Sequence, residues 1–178
     1  YLGFMEQLGS ALSMAHHAGV IHRDIKPSNL MLIPNGDWYD VKLLDFGVAK
    51  LLNDDATGAQ LADLTRAGPA GLTPEFAAPE QIAGDAVTTA TDVYALGVVL
   101  FGLLCGARPH RVGARSAGVL AHVSANEPAR SLTAALLDGD AGLVAKQRGL
   151  SVRRLKQLLR GDLATIVAKA LKHAPAER

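Results

Sequence analysis

Cysteine is almost missing from this sequence, and its scarcity excludes a good deal. A single thiol, Cys105, in 178 residues rules out an intrachain disulfide and any zinc site built from cysteines. It lies in an apolar stretch, where a buried and inert thiol is expected, and a reducing, cytoplasmic setting fits. Aromatic residues are also few, at 4%. No excess of one charge exists: 18 Lys and Arg face 17 Asp and Glu, a formal net charge of +1. That balance gives no argument for nucleic acid or an anionic membrane as partner. Long apolar runs are lacking as well. The longest, Val93 to Cys105, falls short of the roughly 18 residues that span a bilayer, and no signal peptide is visible.

What is present is a globular composition, 49% hydrophobic and 20% charged, with enough chain for one domain and one core. The sequence opens at Tyr1 inside a helical pattern and stops at Arg178 in mid-segment, which leads to the expectation of a fragment.

The most informative stretch is Gly19-Val20-Ile21-His22-Arg23-Asp24-Ile25-Lys26-Pro27-Ser28-Asn29. Apolar residues anchor both ends, Val20 and Ile21 before it and Leu30 to Ile33 after it. Pro27 stiffens the middle and denies it helix geometry. A rigid loop results, holding a carboxylate, an ammonium and a carboxamide near one point. Before it, Leu2, Met5, Leu8, Leu12 and Ala15 recur at helical spacing, and Gly19 is placed to end that helix. After it, residues 30–33 and 41–44 read as two strands around the turn chemistry of Pro34-Asn35-Gly36-Asp37. The hairpin carries Asp45-Phe46-Gly47 back towards the loop, so Asp45 and Asn29 can converge. Two oxygen donors of this kind suit Mg²⁺, which takes few protein ligands.

His22-Arg23-Asp24-Ile25-Lys26-Pro27-Ser28-Asn29, Asp45-Phe46-Gly47 and Ala78-Pro79-Glu80, in that order, resemble the signature set of protein kinases. Lys26, two residues after Asp24, is similar to the serine/threonine branch. Residues 71–81, 91–97 and 161–167 resemble the eukaryotic-like serine/threonine kinases of bacteria. The resemblance covers essentially the whole chain. It implies a mainly α fold with a small β-hairpin, the large C-terminal lobe of a kinase catalytic domain, over residues 1–178. No glycine-rich nucleotide loop occurs in the sequence. The strand lysine and its helix partner are therefore expected upstream of Tyr1, and the chain alone is expected to bind ATP weakly and transfer little phosphate.

The resemblance also implies roles. Asp24 orients a Ser/Thr hydroxyl of a protein substrate and accepts its proton, and Lys26 neutralises the γ-phosphate of ATP. Asn29 and Asp45 hold Mg²⁺, with Mn²⁺ as a substitute, and Met31 forms part of the floor under the adenine. Thr73 bonds Asp24 and Lys26 beside the substrate. Arg23 pairs with a phosphorylated residue of the segment between Asp45 and Glu80, for which Thr57 and Thr65 are the candidates, with self-phosphorylation among the implied reactions. His22, Phe46 and Gly47 are structural. So are Asp92, which accepts N–H bonds from the His22-Arg23 turn, and the buried pair Glu80 and Arg178. Ala174 departs from an aspartate common in the family, which puts the local turn in question. The alternative reading is a pseudokinase or nucleotide-binding scaffold.

Other features carry less. Residues 91–105 are apolar nearly all round and predict a central helix. Residues 113–123 suit a short surface helix, and Ser124 to Gly149 is only loosely patterned. Arg148, Arg153, Arg154, Lys156 and Arg160 form a basic stretch, read as a solvated face rather than a docking surface. His16 and His17 are adjacent, so they point apart on a helix and make a poor metal pair.

Overall fold

A computed structural model describes residues 2–46, 73–110 and 127–178. The first contact follows from Leu8 and Leu12, one turn apart on helix α1 (Leu2–His17) and both buried. Gly19, at φ 76°, makes the left-handed turn that ends α1, and the Val20 N–H closes it on the Ala15 carbonyl at 2.9 Å. The loop that follows contains a single 3₁₀ turn, Pro27–Asn29. Pro27 thus does not prevent helix altogether, as the sequence suggests. It takes the first position of the turn, where its missing N–H is not needed.

Strands β1 (Leu30–Asn35) and β2 (Trp38–Leu43) pair antiparallel, Leu30 opposite Leu43 and Asn35 opposite Trp38. The reversal is narrower than the expected four residues: Pro34 lies within β1 opposite Tyr39, and only Gly36-Asp37 turn, with Gly36 at φ 59°. A two-stranded ribbon has edges only, which is where proline is tolerated. Gln7 of α1 stitches on the hairpin, accepting from the Val41 N–H at 2.8 Å and donating to the Tyr39 carbonyl at 3.1 Å.

Helix α2 (Pro79–Ala83) leads to helix α3 (Thr89–Cys105), which is capped by Thr88 and ended by Gly106 at φ 68°. Two apolar clusters share α3. On one side Ala95 and Val99 pack with Leu8 and Leu12 of α1 and with Ile25 of the loop. On the other, Tyr94, Val98, Phe101, Leu104 and Cys105 pack with the C-terminal helices. Burial of each large side chain contributes about 1.5–3 kcal/mol, so α3 is the element on which both halves depend. Gly97 lets helix α7 (Asp162–Ala170) close in: a Cβ there would stand 2.9 Å from that of Ala170. Cys105 is buried, donating to the Phe101 carbonyl at 3.1 Å, and burial pushes its thiol pKa up.

The loosely patterned region holds helices α4 (Leu132–Asp138) and α5 (Ala141–Gln147), followed by α6 (Val152–Leu158). Ser131, Asp140 and Ser151 cap them. Each has seven residues, about two turns, too few to show a period. Arg148, expected on a solvated face, reaches the carbonyls of Leu103 and Leu104 at the end of α3, where a cation offsets the helix dipole. At Ala174 the turn forms without an aspartate, as the 3₁₀ turn Pro175–Glu177 closed from the Glu177 N–H to the Ala174 carbonyl. The helix expected at 113–123 lies outside the described residues. Among those described, no helix is long and apolar enough to cross a membrane.

Candidate active site

The loop between α1 and β1 is held first by its backbone. Asp92, early in α3 and 1% exposed, accepts the His22 N–H on Oδ2 and the Arg23 N–H on Oδ1, each at 2.9 Å. Gln81 of α2 donates to the Arg23 carbonyl at 2.8 Å. Arg23 thus sits at φ 67°, a left-handed conformation that a side chain disfavours, with its N–H and its carbonyl both held. Ile25 is fully buried in the α1–α3 cluster and pins the next step of the loop.

Between these fixed points the polar side chains converge. Lys26 Nζ lies 2.7 Å from Asp24 Oδ2 and donates to Thr73 Oγ1 at 3.0 Å. Asn29 Nδ2 donates to the Asp24 carbonyl at 2.8 Å and to Asp24 Oδ2 at 3.2 Å. Asp24, Lys26, Asn29 and Thr73 form one connected group, with Thr73 joined to Asp24 through Lys26. Thr73 is itself set by a turn in which the Phe76 N–H bonds the Thr73 carbonyl at 3.0 Å. Arg108, just past α3, steadies this turn by pairing with Glu75 at 2.6 Å and lying over the Phe76 ring.

The end of β2 is tied to the same loop. The Leu44 N–H donates to the Asn29 carbonyl at 2.8 Å, and His22 Nε2 lies 2.9 Å from the Leu44 carbonyl. The His22 and Phe46 rings stand 4.8 Å apart. Asp45, between these contacts, is exposed and has φ 54°, the second left-handed non-glycine residue among those described. Backbone strain of this kind persists only where the surroundings impose it. Met31 is half-exposed on β1, opposite Lys42. Gly47, Thr57 and Thr65 lie outside the described residues.

Glu80 and Arg178 form a bidentate pair at 2.7 and 2.8 Å, with both side chains buried. Thr91 donates to Glu80 Oε1 at 2.8 Å, and the Arg178 guanidinium lies over the Tyr94 ring. Burial pushes the Glu80 carboxyl up, but the Arg178 bond, a backbone bond and the Thr91 bond outweigh it and hold it below the carboxylate's ordinary value. Burial pushes the Tyr94 phenol up to about 12.

Two supporting residues leave little trace in the sequence. His16 Nε2 lies 2.8 Å from Asp92 Oδ2, the oxygen that also holds the His22 N–H. Its only signal is position, four residues after Leu12 on the buried face of α1. Gln81 closes the 71–81 stretch and accepts the Ala78 N–H at 3.1 Å, but nothing local points to its bond with Arg23.

The donor set suits Mg²⁺. With Nδ2 of Asn29 committed to Asp24, its Oδ1 is left as an acceptor, and the Asp45 carboxylate has no ion pair among the described residues.

The loop brings Asp24, Lys26 and Asn29 together, and Asp45 follows just past the end of β2. The sequence matches the protein kinase domain over residues 2–173, and the chain belongs to that family. It is 47% identical over 106 residues to the serine/threonine-protein kinase pkn3 of Myxococcus xanthus, an alignment covering 59% of this chain and 19% of that protein. To the serine/threonine-protein kinase PknA of Mycobacterium tuberculosis it is 42% identical over 108 residues, 61% of this chain and 23% of that one. The chain thus spans about a fifth of the curated relatives it matches. A crystal structure of the Mycobacterium tuberculosis PknI kinase domain superposes with a TM-score of 0.58 at 23% identity, covering 99% of this chain and 48% of that one. That likeness shows a kinase-like fold.

Proposed function

We propose that the chain is the C-terminal lobe of a bacterial serine/threonine protein kinase, which transfers the γ-phosphate of ATP to Ser/Thr hydroxyls of proteins in the cytoplasm. The observation that carries this reading is the connected group Asp24, Lys26, Asn29 and Thr73. Asp24 aligns the acceptor hydroxyl and takes its proton, with the carboxylate aimed by Asn29. Lys26 bridges Asp24 and Thr73 and offers its charge to the transferring phosphoryl group. Asn29 and Asp45 would hold Mg²⁺, which neutralises the phosphates of the nucleotide. Arg23 would receive a phosphate carried by Thr57 or Thr65.

Two further features support a lobe that meets another. Among the described residues, five of the eleven large exposed apolar side chains, Met31, Leu32, Ile33, Trp38 and Tyr39, lie on the hairpin, a surface that a nucleotide and a second lobe would cover. The match to about half of the PknI kinase domain agrees.

The test is label transfer from γ-labelled ATP to a generic protein substrate by the full parent protein, beside its Asp24→Asn variant. The variant is expected to lose about 10²–10⁴-fold in kcat with nucleotide affinity nearly unchanged. Equal rates in the two would replace the kinase with a scaffold. Residues 1–178 alone are expected to transfer little phosphate.

A further inference from the structure

The near-neutral total conceals a strongly divided charge. Between Ala141 and Ala176 the sequence holds eight Lys and Arg against one acid, Asp162, a local balance of +7. The remaining residues hold ten basic against sixteen acidic, a balance of −6. Helix α6 concentrates this excess. Leu155, with Leu159 just past its end, is buried in the C-terminal cluster, while Arg153, Arg154, Gln157 and Arg160 are exposed on the opposite arc with Lys156 at its margin. Lys146, exposed on α5, adds a further cation. Arg153, Arg154, Lys156 and Arg160 have no ion pair among the described residues, whereas Arg108, Arg130 and Arg178 each hold a carboxylate. Arg148, in the same stretch, has an internal task at the end of α3. None of the site residues uses the α6 face.

We propose that this face docks an acidic peptide segment of a partner protein. Guanidinium forks match carboxylates two bonds at a time, and three of the four cations on α6 and just past its end are arginines. Residues 127–178 contain no Phe, Tyr or Trp. Single-stranded nucleic acid therefore finds no stacking platform there, and a bilayer finds no interfacial aromatic anchor. A patch of four cations on one short helix and its C-terminal end, with Lys146 on α5, on an otherwise acidic chain fits a short acidic segment rather than a long polyanion. The assignment stands beside the kinase reading without depending on it, since it is tested by binding and not by turnover.

The probe is a fluorescein-labelled Glu-rich peptide, titrated with the 178-residue chain at low salt and followed by anisotropy, with circular dichroism to verify folding. Saturable binding is expected, weakened at least about tenfold by the triple reversal Arg153→Glu/Arg154→Glu/Arg160→Glu, and less by the matching glutamines. It should also fall steeply with added salt. Lys42→Glu, an exposed reversal on β2, should leave it unchanged. Absent binding, or binding indifferent to the α6 reversals, would overturn the proposal. Tighter binding to phosphatidylserine vesicles or single-stranded DNA would reassign the face, as would self-association in sedimentation that the triple variant abolishes.

Discussion

Two buried carboxylates flank Thr91, and they bind the molecule by different means. Asp92 accepts two backbone N–H groups of the loop between α1 and β1 and meets the His16 ring. Glu80 grips a guanidinium 98 residues away, with the Thr91 hydroxyl as a third bond. The first fixes a local backbone shape, including the left-handed Arg23. The second joins the start of α2 to the last residue of the chain. Loss of the second should therefore be felt as global stability, and loss of the first as disorder in one loop.

The largest effect that would sharpen this contrast is on Glu80. Arg178→Ala leaves its carboxylate buried without a counter-ion and is expected to cost about 3–5 kcal/mol, measured by urea unfolding. A cost below about 1 kcal/mol would mean the pair behaves like a surface ion pair, and the contrast would collapse. Its pH dependence has a definite sign. Folding holds the Glu80 carboxyl below its ordinary 4.5, so its contribution is complete above that pH and is lost as pH falls through the folded value. The stability gap between wild type and Glu80→Gln should accordingly shrink in acid below 4.5. A constant gap would show that the charge is not what matters.

Asp92→Ala should come next. It strands two amides, at about 1–3 kcal/mol each, in a loop that can partly relax towards water. The marker is hydrogen exchange: the His22 and Arg23 amides should exchange much faster while those of α3 keep their protection. Uniform acceleration throughout the chain would erase the distinction from Glu80. The smallest effect belongs to His16→Ala, which removes one of several bonds to Asp92, about 0.5–1.5 kcal/mol. It should speed exchange at His22, whose N–H shares Oδ2 with His16, more than at Arg23 on Oδ1.

Legibility in the sequence follows the range of the forces involved. Helix α1, the hairpin and α3 can be read because apolar spacing and turn residues act within a few positions. The order of Asp24, Lys26, Asn29 and Asp45 stands out because it resembles the protein kinase signature set. His16, Gln81 and Arg148 cannot, since each has a partner 76, 58 or 44 residues away and nothing local to announce it. Helices α4 and α5 are hidden by brevity and alanine, with Ser131 and Asp140 their only markers. Pro34 misleads because turn chemistry at the tip of a hairpin extends into its strands.

Because α3 shows one face to the loop between α1 and β1 and the other to the C-terminal helices, no smaller piece of the chain should keep that loop in shape. A chain cut after Gly106 would keep every residue of the loop yet lay Tyr94, Val98, Phe101 and Leu104 bare to water. The helix under the loop would then be as ready to aggregate as to fold. The shortest chain able to hold the loop in shape must reach at least Leu171, far beyond the last residue that touches it.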